Sequence, residues 1–584
     1  RALNGAISLA DNSQVMSGGE NIRASAMTDI LLGGIDAGAG DVSVVTGLGS
    51  ILDNGDTFVD VTADSYRVSA GNNIGGIGSL NPDELDTAVT TVSVHTDQGG
   101  IGIIDQDDIT VDGVSVSVVR LDEENDESIV TDATQSDLVT GNNGTVIVTS
   151  ETGTITLNDG NGDGVAIDAD GEGDVTLTSA VDIDVNAGIE SDSGDITLIA
   201  DQDIDLAPDG DLATTEGDIT VTAGDTITAE AGATVTSGGG DVTYEAQADI
   251  TVSDIDASSA DEIIDGTVEI TSVTGTITLK DDDADGIAIA ANNDGAVIVD
   301  AGAAIVVSAD IEAESGSVTI VADESVTQVA DAGILTGGGD IAVTAGTTIT
   351  VETDGSATSN GGDITYTGET DVVIADVNAS GADATATGSI AITSVTGNVT
   401  VNDEDDDGIA VITNSVGTIE IDAAINVQAN ANIQSELGSV TVTSGEATTQ
   451  GADVELATDG GDIAVTAGTT ITVEAGGAAT SNGGDITYTG QTDVVVADVN
   501  ASGADATATG SIAITSVTGN VTVNDEDDDG IAVITNGVGT IEIDAAIDVQ
   551  ANANIQSELG SVTITSGEAT TQGADVELAT AGGD

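Results

Sequence analysis

The stretch Gly153-Thr154-Ile155-Thr156-Leu157-Asn158-Asp159 decides the fold, because it returns three times at a constant spacing. It recurs as Gly275-Thr-Ile-Thr-Leu-Lys-Asp, as Gly397-Asn-Val-Thr-Val-Asn-Asp and as Gly519-Asn-Val-Thr-Val-Asn-Asp, each 122 residues after the copy before it. A spacing held this strictly is typical of stacked units, since an insertion in one layer would put every later layer out of register. The sequence therefore predicts a rod of stacked layers.

The composition favours thin layers over globular cores. The 584 residues include 77 Gly but only one Phe, four Tyr, two Pro and no Trp, which is little bulk for ordinary cores. Ile, Val and Ala alternate with Thr, Asp and Ser, as in Asp218-Ile219-Thr220-Val221-Thr222, and a period of two is typical of half-buried strands. This alternation and the mean hydropathy of +0.15 argue against disorder in so acidic a chain.

The repeats divide the chain into five segments. These are 1–143, which does not follow the 122-residue register, the three full repeats 144–265, 266–387 and 388–509, and the partial repeat 510–584. The partial repeat differs from the third repeat at four of 75 positions: Ser415/Gly537, Asn426/Asp548, Val442/Ile564 and Asp459/Ala581. Such near identity indicates tandem duplication, which lengthens a fibre without adding a new site. Because the sequence stops in the middle of a repeat, we expect a longer polypeptide.

Within a repeat, one short signature restarts several times. In the third repeat, a Gly followed by Asp, Ser or Thr and by alternating apolar residues restarts at Gly388, Gly417, Gly438, Gly461 and Gly484. Each interval is long enough for about three short strands and their turns, so one restart corresponds to one coil. Stacked coils of this size form an all-β, parallel β-solenoid of about 25 coils. Glycine at each restart fits a position of positive φ or of close backbone approach.

The charge balance excludes several partners. The chain has 105 Asp and Glu against five Lys and Arg, and after Arg120 the only basic residue is Lys280. Nucleic acid and anionic membrane surfaces are therefore excluded as direct partners. Carboxylates at a strand spacing of about 4.8 Å lie within a Debye length of about 8 Å, so cations must offset their repulsion. There is no apolar run long enough to span a membrane, and the absence of Cys excludes disulfides and thiolate metal sites.

Each repeat has one acidic loop directly after its second predicted strand. We call these loop 1 (159–164), loop 2 (281–286), loop 3 (403–408) and loop 4 (525–530), and all four read Asp-x-Asp/Asn-x-Asp-Gly. Alternate carboxylates in a loop that turns at glycine can converge on one hard cation, and calcium accepts six to eight oxygen ligands. The sequence therefore predicts one structural calcium site per repeat. The alternative that remains open is a solvated acidic turn that opposes edge-to-edge aggregation.

The predicted calcium ligands occupy positions one, three, five and twelve of each loop. They are Asp159, Asn161, Asp163 and Asp170 in loop 1; Asp281, Asp283, Asp285 and Asn292 in loop 2; Asp403, Asp405, Asp407 and Asn414 in loop 3; and Asp525, Asp527, Asp529 and Asn536 in loop 4. The seventh residue, Val165 in loop 1, can add its backbone carbonyl. An EF-hand would place Glu at position twelve between two helices, so we predict a calcium loop in a solenoid corner instead.

Two other residue types attract attention and carry less weight. Tyr244, Tyr366 and Tyr488 recur at the repeat spacing, as a surface row for sugars or, as we favour, as packing residues. His95 is the only histidine and has no Ser, Cys or second His arranged around it in the sequence, so it predicts neither a triad nor a zinc site.

Residues 1–143 are predicted to form solenoid coils of a different repeat type. They contain, in this order, Ile51-Leu52-Asp53-Asn54-Gly55-Asp56, Val61-Thr62-Ala63-Asp64-Ser65, Ser69-Ala70-Gly71-Asn72-Asn73-Ile74-Gly75, Leu85-Asp86-Thr87-Ala88-Val89 and Gly99-Gly100-Ile101. This order resembles the repeat regions of giant filamentous-haemagglutinin-like bacterial surface proteins, closely over about residues 1–110 and more loosely in the repeats. The resemblance implies a right-handed parallel β-helix shaft at the cell surface, which projects an adhesive region or builds an extracellular fibre.

These observations favour a structural and adhesive role over catalysis. We expect the shaft of an extracellular bacterial fibre or giant adhesin, stiffened by calcium. Parallel β-helices also host polysaccharide lyases and hydrolases, but the repeats offer only Lys280 as the basic residue that a lyase needs. A hydrolase that uses carboxylates alone needs one distinctive pair of them, whereas here the acidic loop recurs in every repeat. No enzyme is therefore predicted. A self-assembling sheath or matrix filament, with lateral or end-to-end contacts between copies, and a glycan-binding solenoid are the other classes.

Overall fold

The strands of this chain wind in coils of three. The computed structural model describes residues 1–10, 13–55, 58–76, 84–121, 126–260, 265–281, 286–382, 387–403, 408–503, 509–525 and 530–581. Throughout these ranges the regular elements are β-strands, and from residue 144 on each strand pairs in parallel with the strand three further along the chain. About 23 coils result, close to the expected number, so the predicted all-β parallel solenoid is confirmed. The chain divides into two compact units, Arg1–Ile298 and Val299–Asp584.

The first unit begins with coils that differ from the repeats. Their strands are Ile7–Ser8, Val15–Met16, Ile22–Ala26, Ile30–Leu32, Ile35–Asp36, Val42–Thr46, Ile51–Asp53, Val61–Ala70, Leu85–Thr96, Ile101–Asp105, Ile109–Val111, Val114–Leu121, Glu127–Gln135 and Leu138–Val139. The long strand Val61–Ala70 pairs with two strands of the coil before it, Ile35–Asp36 and Val42–Thr46. The long strand Leu85–Thr96 pairs in parallel with Val61–Ala70 and, in the coil after it, with Ile101–Asp105, Ile109–Val111 and Leu138–Val139. Val114–Leu121 and Glu127–Gln135 form an antiparallel hairpin between two strands of one coil.

In the repeats, every coil adds one strand to each of three parallel sheets, named sheets 1, 2 and 3 in the order in which the chain enters them. In the first unit, sheet 1 contains Val146–Ser150, Val175–Ser179, Ile196–Ala200, Ile219–Ala223, Val242–Ala246 and Val268–Ser272; sheet 2 contains Ile155–Leu157, Ile183–Val185, Ile204–Leu206, Ile227–Ala229, Ile250–Ser253 and Ile277–Lys280; and sheet 3 contains Val165–Ala169, Gly188–Ser191, Leu212–Thr214, Val235–Thr236, Ile255–Asp256 and Ile287–Ala291. The next strand, Val297–Ala301, contains the boundary between the units.

The second unit is built in the same way. Its sheet 1 contains Val318–Ala322, Ile341–Ala345, Ile364–Gly368, Ile390–Ser394, Ile419–Ala423, Val440–Ser444, Ile463–Ala467, Ile486–Gly490, Ile512–Ser516, Ile541–Ala545 and Val562–Ser566. Its sheet 2 contains Ile305–Val307, Val326–Gln328, Ile349–Val351, Val372–Ile374, Val399–Val401, Val427–Ala429, Thr448–Gln450, Ile471–Val473, Val494–Ala497, Val521–Asn524, Asp548–Ala551 and Ala569–Gln572. Its sheet 3 contains Asp310–Ala313, Gly333–Thr336, Ser356–Thr358, Val377–Asn378, Ile409–Thr413, Asn432–Ser435, Glu455–Thr458, Ala478–Thr480, Val499–Asn500, Ile531–Thr535, Asn554–Ser557 and Leu578–Thr580.

One sequence repeat corresponds to a whole number of coils. Residues 144–265 contain fifteen strands, from Val146–Ser150 to Ile255–Asp256, which is five coils of three strands. Residues 388–509 also contain fifteen strands, from Ile390–Ser394 to Val499–Asn500. The five restarts in a repeat therefore correspond to five coils, and equivalent residues of successive repeats occupy equivalent strands of their coils.

The core consists of stacked apolar side chains. In sheet 1, Val175, Ile196 and Ile219 lie directly above one another and are fully buried, because alternate residues of each strand point inward. Tyr244 continues a neighbouring stack above Val221 and is also fully buried. The two later repeat tyrosines are buried in the same way, and burial raises the pKa of all three phenols above the usual value. The repeat tyrosines are therefore packing residues.

A column of glycines explains the restarts. A Cβ atom added at Gly194 would collide with the carbonyl oxygen of Gly173 in the coil before, and one at Gly217 would collide with that of Gly194. The same collision recurs in the second unit, where Gly438 lies against Gly417. None of these glycines has a positive φ. Of the two reasons for glycine that the sequence left open, close backbone approach is therefore the one that applies at these restarts. We call this set the glycine column.

Candidate functional site

Loop 1 is the acidic loop that the structure describes in full. It joins the sheet 2 strand Ile155–Leu157 to the sheet 3 strand Val165–Ala169. In loops 2 to 4 the described residues are the first aspartate and the last glycine. The other predicted ligands in those loops, Asp283, Asp285, Asp405, Asp407, Asp527 and Asp529, lie outside the described residues. Loop 1 is therefore where the geometry of the motif is visible.

Loop 1 winds around its own carboxylates. Oδ1 of Asp159 accepts hydrogen bonds from the amides of Gly162, at 2.5 Å, and Asn161, at 3.0 Å, while Oδ2 accepts from Gly164 at 2.9 Å. Donation by the Gly162 and Gly164 amides holds the pKa of Asp159 below its ordinary value. Asp163 accepts from the Val165 amide at 3.0 Å. The oxygens that would bind a cation are thus directed at backbone amides of the same loop.

A residue from the preceding coil completes this cluster. Nδ2 of Asn161 donates to Oδ2 of Asp163 at 2.8 Å and to Oδ2 of Asp137 at 3.0 Å. Asp137 is only 3% exposed, and this burial, with the nearby charges of Asp163 and Asp159, raises the pKa of its carboxyl group. Sequence reasoning missed Asp137 because it precedes loop 1 by more than twenty residues. The strand register nevertheless places an aspartate at the same position, directly before the sheet 3 strand, in the coils that precede loops 2, 3 and 4: Asp254, Asp376 and Asp498.

The outer face of sheet 3 adds further carboxylates beside loop 1. Asp168 and Glu190 are neighbours in adjacent coils. Burial and then the charges of Asp170 and Asp192 raise the pKa of Asp168, while burial and then the charge of Asp168 raise that of Glu190. Strand alternation could have identified Asp168 from the sequence. Within the described part of the chain, no three His, Cys, Asp or Glu side chains are placed to hold a metal ion.

Loops 1, 2 and 3 share one hydrogen bond, from the amide of the final glycine to the carboxylate of the first aspartate. Oδ2 of Asp281 accepts from the Gly286 amide at 2.9 Å, and Oδ2 of Asp403 from the Gly408 amide at 2.8 Å, as Asp159 does from Gly164. The final glycines of the four loops have φ values of 94°, 95°, 88° and 88°. This left-handed conformation favours glycine, which explains the last position of the motif.

The twelfth residues lie apart from the loops. A five-residue strand separates each twelfth residue from the final glycine of its loop. After loop 1 this strand is Val165–Ala169, which spans about 16 Å. Each twelfth residue contacts the backbone of the preceding coil instead: Asp170 accepts from the amide of Asn142, and the side chains of Asn292, Asn414 and Asn536 bond both the amide and the carbonyl of Ser259, Gly381 and Gly503, respectively. In loop 1, the structure therefore does not bring Asp170 to the other predicted ligands, Asp159, Asn161 and Asp163.

A second acidic feature follows the glycine column. Asp174, Asp195, Asp218 and Asp241, each directly after a column glycine, form what we call the Asp column. Oδ1 of each accepts a hydrogen bond from the amide of the equivalent residue in the next coil. The Asp218 amide donates to Asp195 at 2.9 Å, and the Asp241 amide donates to Asp218 at 2.8 Å. The second unit has the same bonds, such as Asp485 to Asp462 at 2.8 Å. The Gly-Asp restarts were visible in the sequence, but this role of the carboxylate was not inferred from them.

Asp105 and His95 are titratable residues that lie outside the acidic loops and the Asp column. Asp105 is fully buried and accepts hydrogen bonds from Oγ1 of Thr87 at 2.6 Å and from the Val89 amide at 3.0 Å, and burial raises its pKa to about 6. His95 is partly exposed, with Nε2 3.3 Å from Oδ1 of Asp97. Both arrangements are those of structural residues.

Comparison with known proteins yields no relative for this chain. No family model matches it, and searches of curated proteins and of solved structures return no match. In the described ranges, no helix is long and apolar enough to cross a membrane. The functional conclusion therefore depends on the geometry of the coils and on the sequence pattern.

Proposed function

We propose that this chain is a structural shaft of an extracellular bacterial fibre or giant adhesin. The observation that carries the proposal is the exact match between the repeat and five coils, since each duplication then adds length and leaves the register of every sheet intact. The inter-coil bonds of the Asp column give each added coil the same stabilisation. The resemblance of residues 1–110 to filamentous-haemagglutinin-like repeats supports the cell surface as its location.

The location can be tested on cells of the source organism. Antibodies raised against the chain should label intact, unpermeabilised cells in immunogold electron microscopy, and external protease should remove the label. Label that appears only after permeabilisation would reject the extracellular assignment. The parallel solenoid fold would be unaffected by that outcome.

Calcium is the second part of the proposal. In loop 1, Asp159, Asn161 and Asp163 would supply oxygens, with Asp137 from the preceding coil as a fourth ligand and third carboxylate. A bound ion would replace the amide donors that these oxygens now contact and would offset repulsion from Asp168 and Glu190. Position twelve is not part of this site, because the strand holds it too far away. The ion would stiffen the corner and play no catalytic part.

Calorimetric titration of the full chain tests the calcium sites. We expect saturable binding of about four ions, one per loop, and a higher melting temperature in calcium. Asp163→Asn should remove one ion, while Asp201→Asn, which changes an exposed turn acid in the same unit, should remove none. Weak, unsaturable binding that sodium chloride reproduces would identify the loops as solvated turns.

A self-assembling filament subunit is the second candidate function. The observation in its favour is a set of exposed valines at one equivalent turn of successive repeats, Val273, Val395 and Val517, which are 51%, 49% and 49% exposed. Neighbouring copies could match such a period. Sedimentation with and without calcium tests this role, and a species that stays monomeric at all concentrations in both conditions would reject it.

A further inference from the structure

The hairpin Val114–Leu121 and Glu127–Gln135 is unlike the rest of the chain. It is an insertion between Ile109–Val111 and Leu138–Val139, two strands of one coil, and it is the antiparallel element among the described strands. Because the coils on either side remain paired without it, the hairpin is not needed to continue the stack. An insertion that stacking does not require calls for another explanation.

The base of the hairpin is fixed to the solenoid. The guanidinium of Arg23 makes two hydrogen bonds to Asp132, at 2.7 and 3.0 Å, and Oγ of Ser43 donates to the same carboxylate at 2.7 Å. Arg67 donates to the carbonyl of Ala133 at 3.0 Å, and Val116 is fully buried. A bidentate Arg–carboxylate pair restrains orientation as well as distance. The hairpin is therefore held in one position against the coils.

The distal half presents apolar side chains to solvent. Val119 and Ile129 are direct cross-strand partners and are 65% and 76% exposed, while Leu121, two residues from Val119 on the same face, is 59% exposed. We call these three residues the tip patch. Three large apolar side chains on one face of an anchored ribbon differ from the outward Thr residues of the repeats. Contiguous exposed apolar surface of this kind marks interaction sites.

The charges around the tip patch indicate the chemistry of its partner. Glu127 pairs with Leu121 across the strands and belongs to the same face. In sequence, the five residues 122–126 that join the strands contain four acids. Arg120 alternates with Val119 and Leu121 and so belongs to the opposite face. A second copy would bring its own acidic surface to this point, since the chain has 105 acidic and five basic residues, and like charges would oppose the contact.

We propose that the tip patch is a docking site for a protein segment that carries apolar side chains flanked by Lys or Arg. Val119, Leu121 and Ile129 would bury their side chains against the apolar residues of that segment. Asp126 and Glu127, which are exposed, would attract its cations and orient it. The anchored base limits the conformational entropy lost on binding.

Fluorescence anisotropy with the full chain tests this site. The probe is a labelled peptide of alternating lysine and valine, compared with peptides of glutamate and valine and of lysine and serine, at about 0.15 M salt. The lysine–valine peptide should bind most tightly. Ile129→Ser should weaken its binding about tenfold. Val416→Ser, which removes a valine of the second unit that is 56% exposed, should leave the binding unchanged.

Several results would overturn the proposal. Equal binding of the lysine–valine and lysine–serine peptides would mean that bulk charge alone attracts the probe. Equal loss of binding with Ile129→Ser and Val416→Ser would mean that the tip patch has no special part in it. Self-association in sedimentation that Ile129→Ser abolishes would make a second copy the occupant. Hydrogen exchange in Val114–Leu121 must show that the hairpin of the variant is intact, and Leu121→Ser provides a second variant if it is not.

Discussion

Loop 1 and the Asp column contain the same residue types and use them in opposite directions. In loop 1, the carboxylate of Asp159 accepts amides of its own loop, including that of Gly162. In the Asp column, the carboxylate of Asp195 accepts the amide of Asp218 in the next coil. The reason for glycine also differs between the two. Loop 1 ends at Gly164, which has a positive φ, whereas a side chain at a column glycine would collide with the coil before. One arrangement closes a corner, and the other joins coils.

The difference shows that acidity has a structural role before any cation is considered. Stacked carboxylates repel one another, but each bond to an amide of the next coil is charge-assisted and stronger than a neutral hydrogen bond. Loop carboxylates bond within one corner and are free to exchange amides for another partner. Cation binding is therefore better suited to the loops than to the column.

The largest effect should come from adding a methyl group to the column. Gly194→Ala would push Cβ into the carbonyl of Gly173, and we expect a loss of about 3 kcal/mol of local stability. Gly162→Ala in loop 1 meets no atom within 4 Å but has a φ of +88°, so its cost should be about 1 kcal/mol. Hydrogen exchange of Val175–Ser179 and Ile196–Ala200 measures the loss in Gly194→Ala, and exchange of Ile155–Leu157 and Val165–Ala169 measures the loss in Gly162→Ala. Equal losses would contradict the contrast between the two glycines.

The second effect concerns pH, which should act in opposite directions on the buried carboxylate of Asp105 and on the carboxylate of Asp159 in loop 1. The pKa of Asp105, raised to about 6 by burial, means that the folded chain binds its proton more tightly than the unfolded chain. Acidification from about pH 6 to about pH 4 should therefore stabilise the surrounding strands, by the order of 2 kcal/mol. The pKa of Asp159 is lowered, so its contribution is present above the unfolded value and is lost as pH falls through the folded value.

Carboxyl carbon NMR titration and thermal unfolding at several pH values measure these two groups. Asp105→Asn should abolish the gain in stability between pH 6 and pH 4 and leave the titration of Asp159 unchanged. A normal titration of Asp105 would show that its burial does not disfavour the charge.

The third effect tests whether the column joins coils. Asp218→Ala removes the acceptor of the Asp241 amide, 2.8 Å away, and should cost about 1.5 kcal/mol with faster exchange in both adjacent coils. Asp163→Ala in loop 1 should speed exchange only within its own corner, including the Val165 amide. Confinement of the Asp218→Ala effect to its own turn would refute the inter-coil role.

The smallest effect separates the charge of the column from its hydrogen bond. Asp218→Asn keeps an acceptor oxygen but loses the charge assistance of its hydrogen bond, a small loss because Asp218 is exposed. Relief of the repulsion from the stacked charges should outweigh that loss, so stability should rise by a few tenths of a kcal/mol at low salt. About 1 M sodium chloride should erase the gain, because it shortens the Debye length to about 3 Å. Thermal unfolding at both salt concentrations measures this, and a gain that persists in high salt would have a cause other than repulsion.

The sequence predicted the coils better than it predicted the site. The 122-residue period, the strand alternation and the restarts specified a parallel solenoid with five coils per repeat, because stacking forces equivalent residues into register. The loops were found by spacing alone, and spacing does not show that a strand separates Asp163 from Asp170. Asp137 escaped notice because its contact with Asn161 joins two coils through residues more than twenty positions apart in the sequence. The hairpin was also missed, since its residues continue the alternating pattern around it.

The Asp column also has a direction. Each carboxylate accepts an amide from the coil that follows in the chain, so a finished coil presents acceptors only to the residues that come after it. A chain that folds from its amino end would thus meet a template already in place for every new turn. Assembly would then proceed in one direction, with each completed turn binding the next one and opposing its release.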